Sequence, residues 1–578
     1  MATVSLETLN WIESIRSKYG VPGLSFGVVK GISSKDETGS SLSSNARWEH
    51  SIHGFGTRNV QGDPYNEQTV CAIGSCSKVF SYLVVALLIH DGTKLPNGEP
   101  LKWETRVKDA LGDAWEMKDQ YATEHCTLHD LSGMKIGLGP HPYGRTHTTA
   151  ESYDDQLRLI RHLTMSAELR QRFQYDSICP LALAGIAELI TGKPYHTLVE
   201  EMIFEPLGMQ SSFCDNKKAR DTHKISEGFF RRGGSPQKSG VEKTGEPVSV
   251  GWWTKDEGYW MVPMGGIAST AKDMLLFLQE LMEAKHLSAG ILETPAEGQG
   301  VLWGPYNAML KLDQNTPGLY GRGQAITSYR GHPVEWHSGN MPGQIATMIR
   351  IPGQKLGLFI GVNDGTRTGA ALMFATRNRI LDELLGLGIT GREDYESKFL
   401  TPVWQPAPPI SPPLPSEESA RQALKELYPG TYAHGAYKTW QPYPFDPKVP
   451  ESQAMIDAAR LAGHTHEFDT HCIVSKSTSF WLSHILFRPL VNPVNGICTF
   501  DWFAFQVYPV SNGKEGWKDD EFVASVRSKG RGVWSEKGIG MFEGFWDIIP
   551  SSQKPLPTDW HNGVDKEASA EVWMRKES

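Results

Sequence analysis

The period of apolar and polar positions changes several times along this chain, and the changes mark its elements. Near the start, "LETLNWIESIRSKYG" spaces its apolar residues like an amphipathic helix, and "LSFGVVKG" and "RWEHSIHGFGTRNV" then read as strands. From Val79 to His90 nearly every position is apolar, which predicts a helix buried on all sides. A second buried helix is expected over Leu181–Ile190, stopped by Thr191-Gly192. "ASTAKDMLLFLQELMEA" is amphipathic, with Ser269 or Thr270 as candidate N-cap. "ATMIRIPGQKLGLFIGVND" reads as two strands joined by a Pro-Gly turn. Helices lodged between early and late strands predict an α/β (α+β) domain whose antiparallel sheet draws on both chain ends.

The pattern breaks at "TPVWQPAPPISPPLPSEES", which holds seven prolines between Pro402 and Pro415. Such a run favours extended polyproline II and acts as a semi-rigid spacer. Beyond it, "FDTHCIVSKSTSFWLSHILFRPL", "GICTFDWFAFQVYPV" and "GIGMFEGFWDIIP" are short aromatic or β-branched runs punctuated by Gly, Pro and Asn. They predict an antiparallel barrel or sandwich with an aromatic core, or a barrel that holds a ligand. The chain therefore divides into residues 1–400, a linker over 401–418, and an all-β region over 419–578.

Length agrees, since 578 residues are too many for one core. A formal charge of −9 with no basic stripe argues against nucleic acid or an acidic membrane surface as partner. The longest apolar run, Tyr82 to Ile89, is far too short to span a bilayer, and the N-terminus shows no secretory pattern. Seven scattered cysteines without a Cys-x-x-Cys pair disfavour a zinc site or a disulfide framework, so a reduced, cytoplasmic setting is expected. No metal or other cofactor is called for, and a homo-oligomer is left open.

The chemistry concentrates at "AIGSCSKVFSYLVVALLIHDG". A serine hydroxyl is a weak nucleophile until a base takes its proton. Lys78, three residues after Ser75 on the same helix, shares its face, and burial disfavours the ammonium, so the amine is suited to act as that base. The helix N-terminus also directs N–H groups at a developing oxyanion. Ser-x-x-Lys also occurs elsewhere, for example at Ser132, Ser235 and Ser551, but in Gly- or Pro-rich surroundings without a buried helix. Taken singly, Ser75 also reads as an N-cap, and Lys78 as a surface lysine.

Two further segments follow in order: "FQYDSICPLALAGIAELITGKPYHTLVEEMIFEPLGMQSS" from Phe173 and "EWHSGNMPGQIATMIRIPG" from Glu335. Ser-x-x-Lys, Tyr-x-Ser and His-x-Gly in this sequence resemble the signature of the serine β-lactamases and penicillin-recognising enzymes, on the class C-like branch of esterases, D-aminopeptidases and acyltransferases. The resemblance spans roughly residues 5 to 390 and implies a β-lactamase/transpeptidase-like fold. The second region is similar to the lipocalin-like barrels of two-domain relatives, with "LYPGTYAHGAY" at Leu427 as a first strand.

Carried over, Ser75 is the acylated nucleophile, Lys78 its base or proton shuttle, and Tyr175 shares general acid–base duty. Ser177 stands where many relatives carry asparagine; its hydroxyl can still bond Lys78 but offers no amide to a substrate carbonyl. His337, Ser338 and Gly339 form the strand edge beside the substrate. The N–H groups of Ser75 and Asn340 form the oxyanion hole. Trp252, Trp253, Tyr259, Trp260, Trp303 and Tyr306 either line the cleft or pack ordinarily. His337 stands where penicillin-binding relatives place lysine, so a substrate carboxylate is held less well. "TLHDLSGMKIGL" departs from its family pattern at Gly133-Met134-Lys135, beside the cleft, and Cys76 is read as packing. The implied function is serine hydrolysis of a small-molecule or peptide ester or amide. An acyltransferase or peptide cyclase of a natural-product pathway shares the intermediate, and a silent binding scaffold is the third reading.

Overall fold

The computed structural model describes residues 3–32, 47–144, 152–234, 244–287, 300–302, 318–387, 393–400, 422, 426, 428–464, 468–490, 496–513, 516–546, 554–556 and 569–577. The linker segment and the Ser-x-x-Lys sequences at Ser235 and Ser551 fall largely outside them.

The first region contains strands β1 (Gly23–Ile32), β2 (Arg47–Gly56), β3 (Cys71–Ala72), β4 (Gly228–Arg232), β5 (Glu246–Gly251), β6 (Ala268–Ser269), β7 (Gly300–Leu302), β8 (Gly318–Gly321), β9 (Gln324–Tyr329), β10 (His332–Met341), β11 (Gln344–Ile351) and β12 (Leu356–Val362). Eight of them form one sheet in the order β2-β1-β12-β11-β10-β9-β8-β7. As expected, the two chain ends of this region meet in the sheet, next to its β2 edge: Phe26 of β1 pairs with His53 on one side and Ile360 on the other. The helix Ala271–Glu283, capped by Thr270, covers one face. Its Leu275 lies over Gly27 so closely that a Cβ there would come within 2.9 Å of it. The helices Leu6–Lys18 and Arg367–Leu384 are tied together by Arg379, which bonds Glu7 and Thr8. Both expected buried helices form, over Lys78–His90 and Ile178–Thr191, and they pack on each other. Gly192 ends the second in the left-handed region (φ +68°).

One register detail positions the chemistry. β10 pairs with β9 only as far as Trp336↔Ala325, whereas its pairing with β11 continues through His337↔Met348 to Met341↔Gln344. The segment His337–Met341 therefore turns its other edge toward the chain around Ser75.

The second region contributes β13 (Tyr432–His434), β14 (Lys438–Trp440), β15 (Tyr443–Pro444), β16 (Ile473–Ser479), β17 (Leu482–Pro489), β18 (Cys498–Ser511), β19 (Trp517–Ser535), β20 (Gly538–Met541) and β21 (Val572–Lys576). They form one nine-stranded antiparallel sheet, β14-β13-β21-β20-β19-β18-β17-β16-β15. Its two outermost strands are consecutive in sequence, joined by Gln441 and Pro442, so the sheet curls until its ends meet and is barrel-like. Trp440, Phe487, Phe500, Trp502, Trp534 and Phe545 are all buried and fill the interior, with Phe487–Phe500 and Phe487–Trp534 centroids 5.1 and 5.2 Å apart. The Trp534 indole donates to the Tyr432 hydroxyl (2.9 Å), and that of Trp502 to the Phe542 carbonyl (3.0 Å). The packed aromatic core, rather than the ligand-holding barrel, describes this interior.

Among the elements outside the sequence reading, two stand out. The long strand β19 carries polar side chains along a half-exposed face, so it lacks an apolar run. The helix Pro450–Leu461 seats Met455 and Ile456 against Leu486, Phe503 and Phe505 on the barrel's outer side.

Candidate active site

β3 delivers the chain to Gly74, whose left-handed backbone (φ +54°) turns it into a single 3₁₀ turn, Gly74–Ser77, before the helix Lys78–His90 begins. Ser75 thus lies on the 3₁₀ turn, not on the α-helix expected from sequence. The difference favours the pair, because residues three apart eclipse each other in a 3₁₀ turn. Lys78 Nζ lies 3.0 Å from Ser75 Oγ.

Two glycines let β10 press against this turn. A Cβ on Gly339 would fall 1.8 Å from the Ile73 carbonyl oxygen, and one on Gly74 would fall 2.4 Å from the Asn340 amide nitrogen. Backbone meets backbone there, which brings the Asn340 amide alongside the turn that carries Ser75. His337, Ser338 and Gly339 form the adjoining stretch of strand edge, as the resemblance implies.

Lys78 is buried, 1% exposed, and its amine also donates to the Met264 carbonyl (2.8 Å). Nζ lies 5.1 Å from the centroid of the Tyr175 ring. Tyr175 immediately precedes the helix Ile178–Thr191, whose N-terminus is held by Asp176: its carboxylate accepts the N–H groups of Ile178 (2.6 Å) and Cys179 (2.7 Å). Ser177 makes no capping bond of its own.

His337 is buried with both ring nitrogens engaged. Nδ1 is 2.6 Å from the Ser338 carbonyl, which can only accept, so this nitrogen carries the hydrogen. Nε2 then accepts from the Tyr320 hydroxyl at 3.4 Å. Burial, reinforced by the nearby Lys78, pushes the imidazole down to about 3, so His337 is neutral across the physiological range. The Tyr320 ring stands edge-on to Tyr175 at 6.0 Å, and Tyr175 lies 5.8 Å from His337. Cys76 packs, with its thiol on the His337 carbonyl at 3.4 Å and pushed up by burial.

Four of the aromatic candidates make hydrogen bonds or ring contacts around the segment 252–266. Trp252 and Trp253 both donate to Asn216 Oδ1 (3.1 Å each), and Tyr259 bonds Asp215 (3.0 Å) while stacking on His196 at 3.9 Å. Trp253 and Trp260 pack on Phe480 of the barrel. These four hold the segment 252–266 in place; Trp303 and Tyr306 lie outside the described residues. Met134, left-handed at φ +50° and fully buried, accepts the Gln174 N–H at 2.9 Å and so borders Tyr175, as the resemblance implies for its stretch. The look-alike Ser132 merely bonds the His129 carbonyl of its own helix.

Tyr320, Met264 and Asp176 escaped the sequence reading. A main-chain carbonyl such as that of Met264 leaves no sequence signal, and Tyr320 sits in no motif. Asp176 carried one: an aspartate just ahead of an apolar helix is a preferred cap. Among the described residues no cluster of side chains suits a metal ion, all seven cysteines are free, and no helix is long and apolar enough to cross a membrane.

Residues 10–380 match the beta-lactamase family model. The unguisins hydrolase of Aspergillus campestris is 23% identical over 74% of this chain and 75% of its own length. The octameric penicillin-binding protein homologue from Pyrococcus abyssi shares the fold over 92% of this chain and 99% of its own, with a TM-score of 0.52 at 17% identity. The D-amino acid amidase of Ochrobactrum anthropi does so over 66% and 99%, with a TM-score of 0.50 at 19% identity.

Proposed function

The chain belongs to the beta-lactamase family, a family of serine hydrolases, and we propose that it cleaves an amide or ester through an acyl-Ser75 intermediate. The observation that carries this reading is the buried Lys78 amine held 3.0 Å from Ser75 Oγ. As it stands the amine donates to the Met264 carbonyl and to Ser75 Oγ, and once it has given up a proton its lone pair can turn to the serine. Ser75 Oγ bonds to the substrate carbonyl carbon as its proton passes to Lys78. The resulting oxyanion is received by the N–H groups of Ser75 and Asn340, each such donor contributing about 10²–10³-fold. Tyr175 relays a proton to the leaving amine or alcohol as the carbon–heteroatom bond breaks, a role worth about 10²–10⁴-fold. Water, deprotonated by the same groups, then releases the acid and restores Ser75.

His337 and Tyr320 make the adjacent wall polar but uncharged. Such a wall offers no fixed cation for a carboxylate, which favours uncharged amides or esters over penicillin-like substrates. The unguisins hydrolase among the relatives agrees with a hydrolytic reaction, and the D-amino acid amidase with an amide substrate. Acyl transfer or cyclisation differs only in the nucleophile that replaces water, so product analysis with added amines separates the two. The catalytic unit in this reading is residues 1–400, with 419–578 as the barrel.

A fluorophosphonate probe tests the reading. Intact mass should show one adduct on the wild type, mapped to Ser75, and none on Ser75→Ala. A folded wild-type protein that takes up no probe overturns it in favour of a silent scaffold.

A further inference from the structure

The turn that supplies the Met264 carbonyl is held from two sides. Within the catalytic region Asn216, fully buried, donates to the Gly266 carbonyl (2.8 Å) and accepts both indole N–H groups of Trp252 and Trp253. From the barrel, Phe480 wedges edge-on against Trp260 (centroids 5.4 Å apart, 78°) and Trp253 (5.9 Å, 87°), while the two indoles meet each other at 6.4 Å. Phe480 is 5% exposed, and its carbonyl accepts a bond from Gln506 of β18 at 2.9 Å. Edge-to-face aromatic contacts of this kind are directional as well as apolar.

Little slack separates Trp260 from Met264. Val262 N–H bonds the Tyr259 carbonyl, and the Met261 carbonyl accepts from Met264 (3.0 Å), Gly265 (2.8 Å) and Gly266 (2.8 Å). A shift of the Trp260 ring is therefore passed through a closed set of backbone bonds to the Met264 carbonyl, and from there to Lys78 Nζ. We propose that Phe480 is a positioning residue for the catalytic lysine, so that the barrel sets the base's aim from outside the catalytic sheet. This inference rests on the acyl-Ser75 reading above. Angular errors at a proton-transfer pair lower the chemical step rather than substrate binding.

The test uses the full chain with Phe480→Ala, Phe480→Tyr and Ser75→Ala. Three quantities are measured: fluorophosphonate labelling rate, kcat and KM on an amide or ester that the wild type turns over, and the urea midpoint. Phe480→Ala should slow labelling about tenfold or more and lower kcat similarly, with KM within about twofold of wild type. Phe480→Tyr, which keeps the ring edge, should restore both rates to within about threefold. Labelling of folded Phe480→Ala at the wild-type rate, or a loss confined to KM, overturns the proposal. Should Phe480→Ala not fold, Trp260→Phe gives the same readout from the other side of the contact. Undiminished labelling of Ser75→Ala would instead refute the acyl-Ser75 reading, which keeps the two failures apart.

Discussion

The two sheets bury their surfaces by different rules. In the catalytic region backbone is driven against backbone at Gly74 and Gly339, and a buried lysine, two tyrosines and a neutral histidine converge on that contact. In the barrel, aromatic rings fill the interior, and the indole N–H groups of Trp502 and Trp534 are hydrogen-bonded. Close backbone approach leaves amide groups free to face a reacting centre, whereas ring packing maximises apolar burial. The first arrangement is built for chemistry and the second for rigidity. Yet they are not independent, because one continuous apolar cluster contains both Ile73 beside the nucleophile and Trp534 in the barrel. His141 joins them directly, giving its backbone N–H to Trp546 (2.9 Å) and sharing a bond with Tyr437 (2.7 Å).

Removing the nucleophile should break the contrast most sharply. Ser75→Ala is expected to lower turnover at least ~10⁴-fold while leaving the urea midpoint within experimental scatter. The barrel's counterpart is Trp534→Ala, which should cost about 3–5 kcal/mol of stability by chemical denaturation, with any activity loss following the folded fraction. A cost below about 1 kcal/mol would contradict the tight ring packing. Next come Lys78→Ala and Tyr175→Phe, each expected to reduce kcat at least about 10²-fold with the fold retained. Gly339→Ala should do at least as much, since its Cβ must displace either the Ile73 carbonyl or β10. Wild-type turnover by that variant would remove the Asn340 amide from the oxyanion hole. Tyr320→Phe is milder: a few-fold drop in kcat/KM toward an uncharged amide, because His337 keeps its bond to the Ser338 carbonyl.

The smallest effect compares one histidine from each region. Burial lowers His337 to about 3 and His434 of the barrel to about 4, and the His434 ring accepts backbone N–H groups, as only an unprotonated nitrogen can. Below the ordinary value near 6.5 the unfolded chain binds protons that these rings refuse, so stability rises with pH through this window and falls on acidification. Glu571, pushed up to about 7 by burial, acts oppositely: its contribution is lost as pH rises from its ordinary value through 7. Urea midpoints between pH 4 and 8 should show a shallower acid decline for His337→Gln and for His434→Gln than for the wild type. Parallel curves would mean that neither ring is kept neutral.

Much of the catalytic region was legible because its signals are local. Thr270 and Gly192 mark helix ends by their own side-chain or backbone preferences, and the strands 344–351 and 356–362 are buried runs with a Pro-Gly turn between them. The barrel was legible where its strands are buried on both faces, as in β17 and β18, and illegible where β19 mixes faces. The aromatic candidates illustrate the limit. Their abundance near the site was visible, but whether Trp253 and Trp260 faced a ligand or another domain depended on Phe480, more than two hundred residues away.

Sequence alone determined the serine–lysine pair, since residues three apart on one turn are brought together by chain geometry whatever surrounds them, and it determined the order of the motifs that places the chain in its family. Only the tertiary structure decided that the Met264 carbonyl bonds the lysine, that Tyr320 holds His337, and that the barrel reaches the loop behind Lys78. Each of those contacts joins distant segments through a carbonyl, a hydroxyl or a ring edge. Their meeting is fixed by how sheets and helices pack, which no local spacing encodes.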